Sequence, residues 1–312
     1  MNRLLILSRH AEAYRRQIEA AGLPELTMVA TSDLGEASSR ALESNVVFGE
    51  PSLVRTLLPR LHALQWVQAT WAGVEPLLDP TLRRDYVLTN ARGVFGTLMS
   101  EYVFAYVLAH ERLVLQKHAS QQERRWDSTP PGTLRGKQIG LLGVGSIGAA
   151  LARTAKFFGM RVKGYTRASE GCADVDAYFH GADRIRFAAD LDYLVATVPK
   201  TADTRQLVDA ELLAALPPRA VFINPGRGSV VDDAALVDAL TERRLAGAVL
   251  DVFVEEPLPS SHPFWATPNL LITSHTAALS VPADIAPVFI ENYRRFVRGE
   301  ALLHRVDFGL GY

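Results

Sequence analysis

Three polar side chains stand within a few residues of the ends of apolar runs. Arg227 sits in Asn224-Pro225-Gly226-Arg227-Gly228 after the run Ala220–Ile223, Glu256 follows Asp251-Val252-Phe253 after a second run, and His275 closes the run LLITSH. A guanidinium presents a fork of donors that fits a carboxylate. An imidazole titrating near neutrality is protonated for one direction of a reaction and neutral for the other. A carboxylate bonded to its far nitrogen would fix the tautomer and stabilise the cationic form, and Glu256 is the candidate. Together these groups supply what reduction of a carbonyl beside a carboxylate asks of a protein: a cation for the substrate, an acid for the developing alkoxide, and a partner that tunes the acid. Singly, each has a plainer reading. Arg227 would be a loop arginine facing solvent, Glu256 a surface acid beside Glu255, and His275 a structural residue at a strand end.

A hydride source would have to bind nearby. Gly143, Gly145 and Gly148 form a GxGxxG between the apolar run Gln138–Leu142 and a helical pattern that places Ile147, Leu151, Ala155 and Phe158 on one face. In that context the first glycine permits the tight turn, the second lets the backbone approach a pyrophosphate, and the third lets the helix pack on the sheet. Val144, Ser146 and Ile147 complete the loop, and the unpaired N–H groups of the helix start meet phosphate charge. The plainer reading is a glycine-rich turn of an ordinary α/β protein. At the end of the next run stand Tyr165, Thr166 and Arg167, where an NAD-preferring site carries an acid for the ribose 2′-hydroxyl. With no carboxylate there and a guanidinium able to take a 2′-phosphate, Thr166 and Arg167 point to NADP(H) over NAD(H). Otherwise Arg167 stacks on adenine or faces solvent. Val198 and Pro199, Asn224 and Pro225, and Asp251 are further strand-end candidates for cofactor contacts. Asp251 ends an apolar run, where a carboxylate is costly unless hydrogen-bonded. It is expected to brace the nicotinamide side, or else to cap or hold a turn.

These positions need a scaffold of parallel strands. In the first ninety residues β-type runs (4–7, 28–31, 45–48, 66–70) alternate with helical patterns. From Lys137 onward the runs are more apolar and end abruptly in small or polar residues, as buried parallel strands do, and the ligand crevice of such a sheet lies beyond the carboxyl ends. A helical segment over 100–116, with Val103, Val107 and Leu108 at helical spacing and Gly93 and Gly96 as a hinge before it, is expected to lead into a second domain. A last helix carrying Ile285, Phe289, Ile290, Tyr293 and Val297 could return to the first.

With 312 residues, 48% of them hydrophobic, the chain has enough for two cores, and a net charge of -1 gives no broad field for nucleic acid or an anionic membrane. Cys172 is the only cysteine, so no intrachain disulfide can form and a cytoplasmic location is expected by default. The apolar stretch within Met1–Ser8 is too short for a signal sequence and reads as a strand. The remaining histidines (His10, His62, His110, His118, His180, His262 and His304) show no metal-ligand spacing, so core or surface roles suffice for them and no metal site is expected.

GVGSIG at 143–148, NPGRG at 224–228, DVFVEEP at 251–257 and SH at 274–275 stand in the order and spacing of the D-isomer-specific 2-hydroxyacid dehydrogenases, and nearly the whole chain resembles that family. The resemblance implies that Arg227, Glu256 and His275 are the catalytic set. It implies an α/β fold of two doubly wound parallel-sheet domains: a flavodoxin-like substrate domain (1–97 and 279–312) into which a Rossmann domain (98–278) is inserted, the two closing over substrate in a homodimer. In Trp71-Ala72-Gly73-Val74 it implies that the backbone N–H groups of Ala72, Gly73 and Val74 bind the substrate carboxylate; a tight strand-to-helix turn is the plainer account. Trp126 matches the position from which related reductases reach into the neighbouring subunit's site, or it is a local packing anchor. The missing acid after the second Rossmann strand, the segment RGVFGTLMSEYV and the ending VDFGLGY are similar in particular to bacterial glyoxylate/hydroxypyruvate reductases. NADPH-dependent reduction of small 2-keto acids is the activity this implies. Two rivals stay open: the same chemistry on bulkier 2-keto acids, phosphoglycerate or formate, and a redox-sensing NAD(P)-binding protein that acts through protein contacts.

Overall fold

Short runs of Val, Ile and Leu that are apolar at every position can be satisfied only where both faces of a sheet are covered, and the chain answers with two all-parallel sheets. The computed structural model describes residues 1–312. The chain divides into two units, Met1–Val94 with Ser280–Tyr312, and Phe95–Leu279.

The first unit contains β1 (Asn2–Leu7), α1 (Ala11–Ala20), β2 (Leu26–Thr31), α2 (Leu34–Arg40), β3 (Val46–Gly49), α3 (Pro51–Leu57), β4 (Trp66–Ala69) and β5 (Val87–Thr89). Its strand order is β2-β1-β3-β4-β5, the flavodoxin-like arrangement. The second unit runs through α4 (Gly96–Glu111), α5 (Val114–Gln122), β6 (Gln138–Leu142), α6 (Ser146–Phe157), β7 (Arg161–Tyr165), β8 (Ala177–Phe179), α7 (Arg184–Ala188), β9 (Tyr193–Ala196), α8 (Ala210–Ala215), β10 (Val221–Asn224), α9 (Asp233–Thr241), β11 (Gly247–Leu250) and β12 (Leu270–Ile272). Its order, β12-β11-β10-β9-β6-β7-β8, is the doubly wound Rossmann order with the switch point between β6 and β9. Alternate residues of these strands feed two cores. One is built on Leu142, Leu194, Phe222 and Leu250, the other on Leu141, Val195, Ile223 and Val249. No helix of either unit is long and apolar enough to cross a membrane.

The helix expected over 100–116 is instead two. Leu113 adopts a left-handed backbone (φ 56°) that ends α4 and starts α5. Of the two glycines expected as a hinge, Gly93 has φ 89°, whereas Gly96 serves packing: a Cβ there would lie 2.7 Å from the Ala150 methyl, so glycine lets α4 press on α6. The three-residue strands β5 and β8 were not foreseen.

The last helix, α10 (Pro282–Val297), belongs to the first unit. Its buried Phe289 stacks between Phe48 of β3 (4.8 Å between centroids) and Trp66 of β4 (5.2 Å), and Tyr14 of α1 meets Phe48 edge-on at 4.6 Å. Polar contacts fix the register: Asn292 Nδ2 donates to Gln68 Oε1 (3.0 Å), and Trp66 Nε1 donates to Thr89 Oγ1 (2.8 Å). Phe289→Ala should therefore lower the unfolding free energy of this unit by roughly 3–5 kcal/mol. The check is a shift of the urea midpoint followed through fluorescence of the buried Trp66.

Candidate active site

The candidate catalytic and cofactor residues of the second unit lie just beyond the carboxyl ends of its strands. After β6, Gly143 turns the chain with φ 96°, and a Cβ there would meet Val198 Cγ1 at 3.0 Å. Thr197 Oγ1, at the end of β9, donates to the Gly143 carbonyl (2.9 Å) and pins the turn, with Val198 and Pro199 following directly. A Cβ on Gly148 would lie 2.2 Å from the Gly143 carbonyl oxygen, so only glycine lets α6 begin there. Gly145 differs. Its φ is an ordinary -82°, and a Cβ would meet no atom within 4 Å. Packing gives no reason for glycine at that position; close approach of a phosphate to the backbone does. Gly145 and Ser146 are exposed, and α6 starts with no side-chain cap on its first amides. The residues present therefore fit a bound dinucleotide.

Asp251 is 1% exposed, and its carboxylate organises the turn after β12. Oδ1 accepts from Thr273 Oγ1 and the Thr276 N–H (2.9 Å), Oδ2 accepts from the Ala277 N–H (2.9 Å), and the Asp251 carbonyl takes the His275 N–H (2.8 Å). This holds His275 in the left-handed region (φ 55°). These contacts are those of the turn role foreseen for Asp251, and Oδ2, with one bond accepted, keeps capacity for a further donor. Tyr102 of α4 adds a hydrogen bond to Thr273 Oγ1 (2.8 Å), and burial holds its phenol well above the ordinary tyrosine range.

The His275 side chain is 59% exposed, and Nδ1 lies 2.7 Å from Glu256 Oε2. A carboxylate can only accept, so Nδ1 carries the hydrogen and Nε2 is left to face outward. The other carboxylate oxygen, Oε1, accepts from the Phe253 N–H (2.8 Å), which stops Glu256 from rotating away from the ring.

The arginine loop abuts this pair. A Cβ on Gly228 would lie 2.1 Å from the Phe253 carbonyl carbon and one on Gly226 would lie 2.7 Å from the Ala196 carbonyl oxygen, so both glycines are required by close backbone approach. Asn224, fully buried, accepts from the Gly226 N–H (3.1 Å) and donates to the Arg227 carbonyl (3.0 Å); Pro225 is buried beside it. These contacts brace the loop that presents Arg227. Arg227 Nη1 donates to the Gly226 carbonyl (2.8 Å).

In the first unit, the Trp71–Val74 loop is held by its carbonyls: Trp71 accepts from the Ala91 N–H (3.0 Å), Ala72 from Asn90 Nδ2 (2.8 Å) and Val74 from the Leu77 N–H (2.8 Å). None of the amides of Ala72, Gly73 and Val74 donates to a backbone carbonyl. Trp126 is 94% exposed, which removes the packing-anchor reading, while Asp127 beside it ties the backbone to α5 through Gln116 and Ser120. Thr273, Tyr102 and the Phe253 amide are the contributors that sequence reasoning missed. The signal available was Asp251 itself, since a buried carboxylate demands donors.

The two kinds of glycine make contrasting predictions. Gly145→Ala should leave the thermal midpoint within a few degrees, because a cap change of this kind costs about 1 kcal/mol or less, yet raise the dissociation constant for a nicotinamide dinucleotide about tenfold or more. Gly228→Ala should cost roughly 1–3 kcal/mol of stability by overpacking. Calorimetric unfolding and cofactor titration separate the two.

Comparison with known proteins agrees with this geometry. The model of the D-isomer specific 2-hydroxyacid dehydrogenase NAD-binding domain matches residues 104–277. The glyoxylate/hydroxypyruvate reductase A of Photorhabdus laumondii is 35% identical over 264 residues, 82% of this chain and 84% of that protein. A D-isomer specific 2-hydroxyacid dehydrogenase family protein from Aeromonas salmonicida has a crystal structure that superposes with a TM-score of 0.94 at 39% identity, over 98% of this chain and 99% of that one. The D-isomer specific 2-hydroxyacid dehydrogenase of Xanthobacter autotrophicus Py2, crystallised with NADPH and MES, gives 0.87 at 32% identity over 100% of this chain and 99% of that one. Strand order, glycine loop, paired imidazole and carboxylate, and sequence matches thus place the chain in the D-isomer specific 2-hydroxyacid dehydrogenase family.

Proposed function

We propose that the protein reduces small 2-keto acids, glyoxylate and hydroxypyruvate foremost, to 2-hydroxy acids at the expense of NADPH. The observation that carries this reading is the 2.7 Å bond between His275 Nδ1 and Glu256 at the strand tips. NADPH, when bound, is the hydride source. Arg227 holds the substrate carboxylate. His275 Nε2 gives its proton to the keto oxygen as negative charge develops there, and Glu256 stabilises the ring while it carries two protons. The Glu256–Phe253 bond keeps the carboxylate in register through that step.

The choice of NADPH is supported by the residues that end β7, Tyr165-Thr166-Arg167, which include no acid to repel a 2′-phosphate, and by the NADPH bound to the Xanthobacter relative. Glyoxylate and hydroxypyruvate are the substrates named for the Photorhabdus relative. We further assign the protein to the cytoplasm and to a homodimer in which Trp126 meets the partner subunit; an indole left 94% exposed is expected to find an apolar or aromatic surface. A monomer mass in sedimentation equilibrium at micromolar concentration would remove the dimer.

Initial rates with NADPH and NADH against glyoxylate, hydroxypyruvate, pyruvate and phenylpyruvate test the activity. The expected result is the highest kcat/KM with NADPH and one of the two smallest substrates. Equal or better kcat/KM with NADH would refute the cofactor preference. Tight cofactor binding with no turnover of any keto acid would turn the reading toward a sensor. His275→Ala should lower kcat by about two to four orders of magnitude while leaving the dissociation constant for NADPH near that of the parent protein.

A further inference from the structure

The turn that leaves β7 is closed by a ring from the next strand. Thr166 Oγ1 donates to the Ser169 carbonyl (2.7 Å), and His180, the residue after β8, reaches back over it. Its Nδ1 lies 2.9 Å from the Thr166 carbonyl oxygen and its Nε2 lies 2.8 Å from Glu170 Oε1. A carbonyl and a carboxylate can only accept, so both bonds exist together only if the pair holds one proton more than a neutral imidazole beside a carboxylate. In that state His180 and Glu170 carry no net charge between them. Tyr178 lies parallel to the imidazole, 6.4 Å between centroids. The Asp183 carboxylate acts on the ring from the turn that follows it, Arg184 beyond is engaged by Asp209 and Glu211, and the cation on the 166–170 turn is Arg167.

We propose that His180 is a specificity-determining residue for the 2′-phosphate of the cofactor: as an imidazolium it cancels the charge of Glu170, so that the turn bearing Arg167 meets the phosphate with net positive charge. The inference rests on the NADPH reading above. Without the extra proton, Glu170 would stand as an anion three residues from Arg167 and the turn would carry no net charge. Hydrogen bonds to Glu170 and to the Thr166 carbonyl, with the Asp183 charge, raise the pKa of His180 above its ordinary value. The cancelling charge is therefore present below that raised pKa and is lost as pH rises through it.

The test is calorimetric binding of 2′,5′-ADP, which carries the 2′-phosphate, and of 5′-AMP, which lacks it, to the parent protein, His180→Asn, Glu170→Gln and the double variant. Near about pH 6.5, His180→Asn should weaken 2′,5′-ADP about tenfold and leave 5′-AMP within about twofold. The ratio of the variant's constant to the parent's should fall toward one as pH rises through the pKa of His180, and because both proteins see the same ligand the phosphate's own titration cancels. Adding Glu170→Gln should restore binding to His180→Asn; a double variant as weak as the single one overturns charge cancellation. If the parent prefers 2′,5′-ADP but His180→Asn binds it equally well, the role of His180 falls and the NADPH reading stands. If the parent binds both ligands alike, the NADPH reading falls and the role of His180 with it.

Discussion

A carboxylate cannot stay ionised inside a protein unless donors surround it, and the site is arranged around one such group. Asp251, 1% exposed at the end of β11, finds its donors in Thr273, Thr276 and Ala277, on either side of His275. Satisfying that carboxylate bends the chain so sharply that His275 is forced into a left-handed backbone, which costs roughly 1–2 kcal/mol for a residue with a Cβ. The imidazole is thus aimed by the main chain, and Glu256 has only to settle which nitrogen holds the hydrogen. Two acids bear on His275, the buried Asp251 through the main chain around it and the part-exposed Glu256 through its ring.

Much of this was legible in the sequence because polar residues that follow long apolar runs must be accounted for. Arg227, Glu256 and His275 were visible on that ground, as was the glycine loop, whose strand and helix flank it closely enough to be read together. The strands Val87–Thr89 and Ala177–Phe179 were not, since each is three residues long and shows no period, whereas Leu270–Ile272, equally short, stood out as part of the apolar run before Ser274-His275. Leu113 was read through as helix because leucine is a good helix former, and only the dihedral angle reveals the break. The hydroxyls of Tyr102 and Thr273 meet across 171 positions of chain, and no local pattern announces such a contact. His180 and Glu170 lie ten positions apart in a polar stretch and met only when β8 was laid beside β7.

Glycine carries two separate messages in this chain. At positions 148, 226 and 228 a methyl group would strike the protein's own backbone, so the residue serves the fold. At 145 it would strike nothing, and the backbone angle is an ordinary one, so the fold itself gives no reason for the residue. A motif string does not distinguish these cases, whereas the geometry does.

The aromatic ladder of Tyr14, Phe48, Phe289 and Trp66 has a bearing on biogenesis. Three of its rungs are made early by the ribosome, and the fourth, on α10, emerges only after the whole of the second unit. A nascent chain can thus complete its nucleotide-binding half while the half begun first still shows an open aromatic face to the cell. Order of synthesis and order of completion are reversed between the two units, the aromatic face made first being the one closed last.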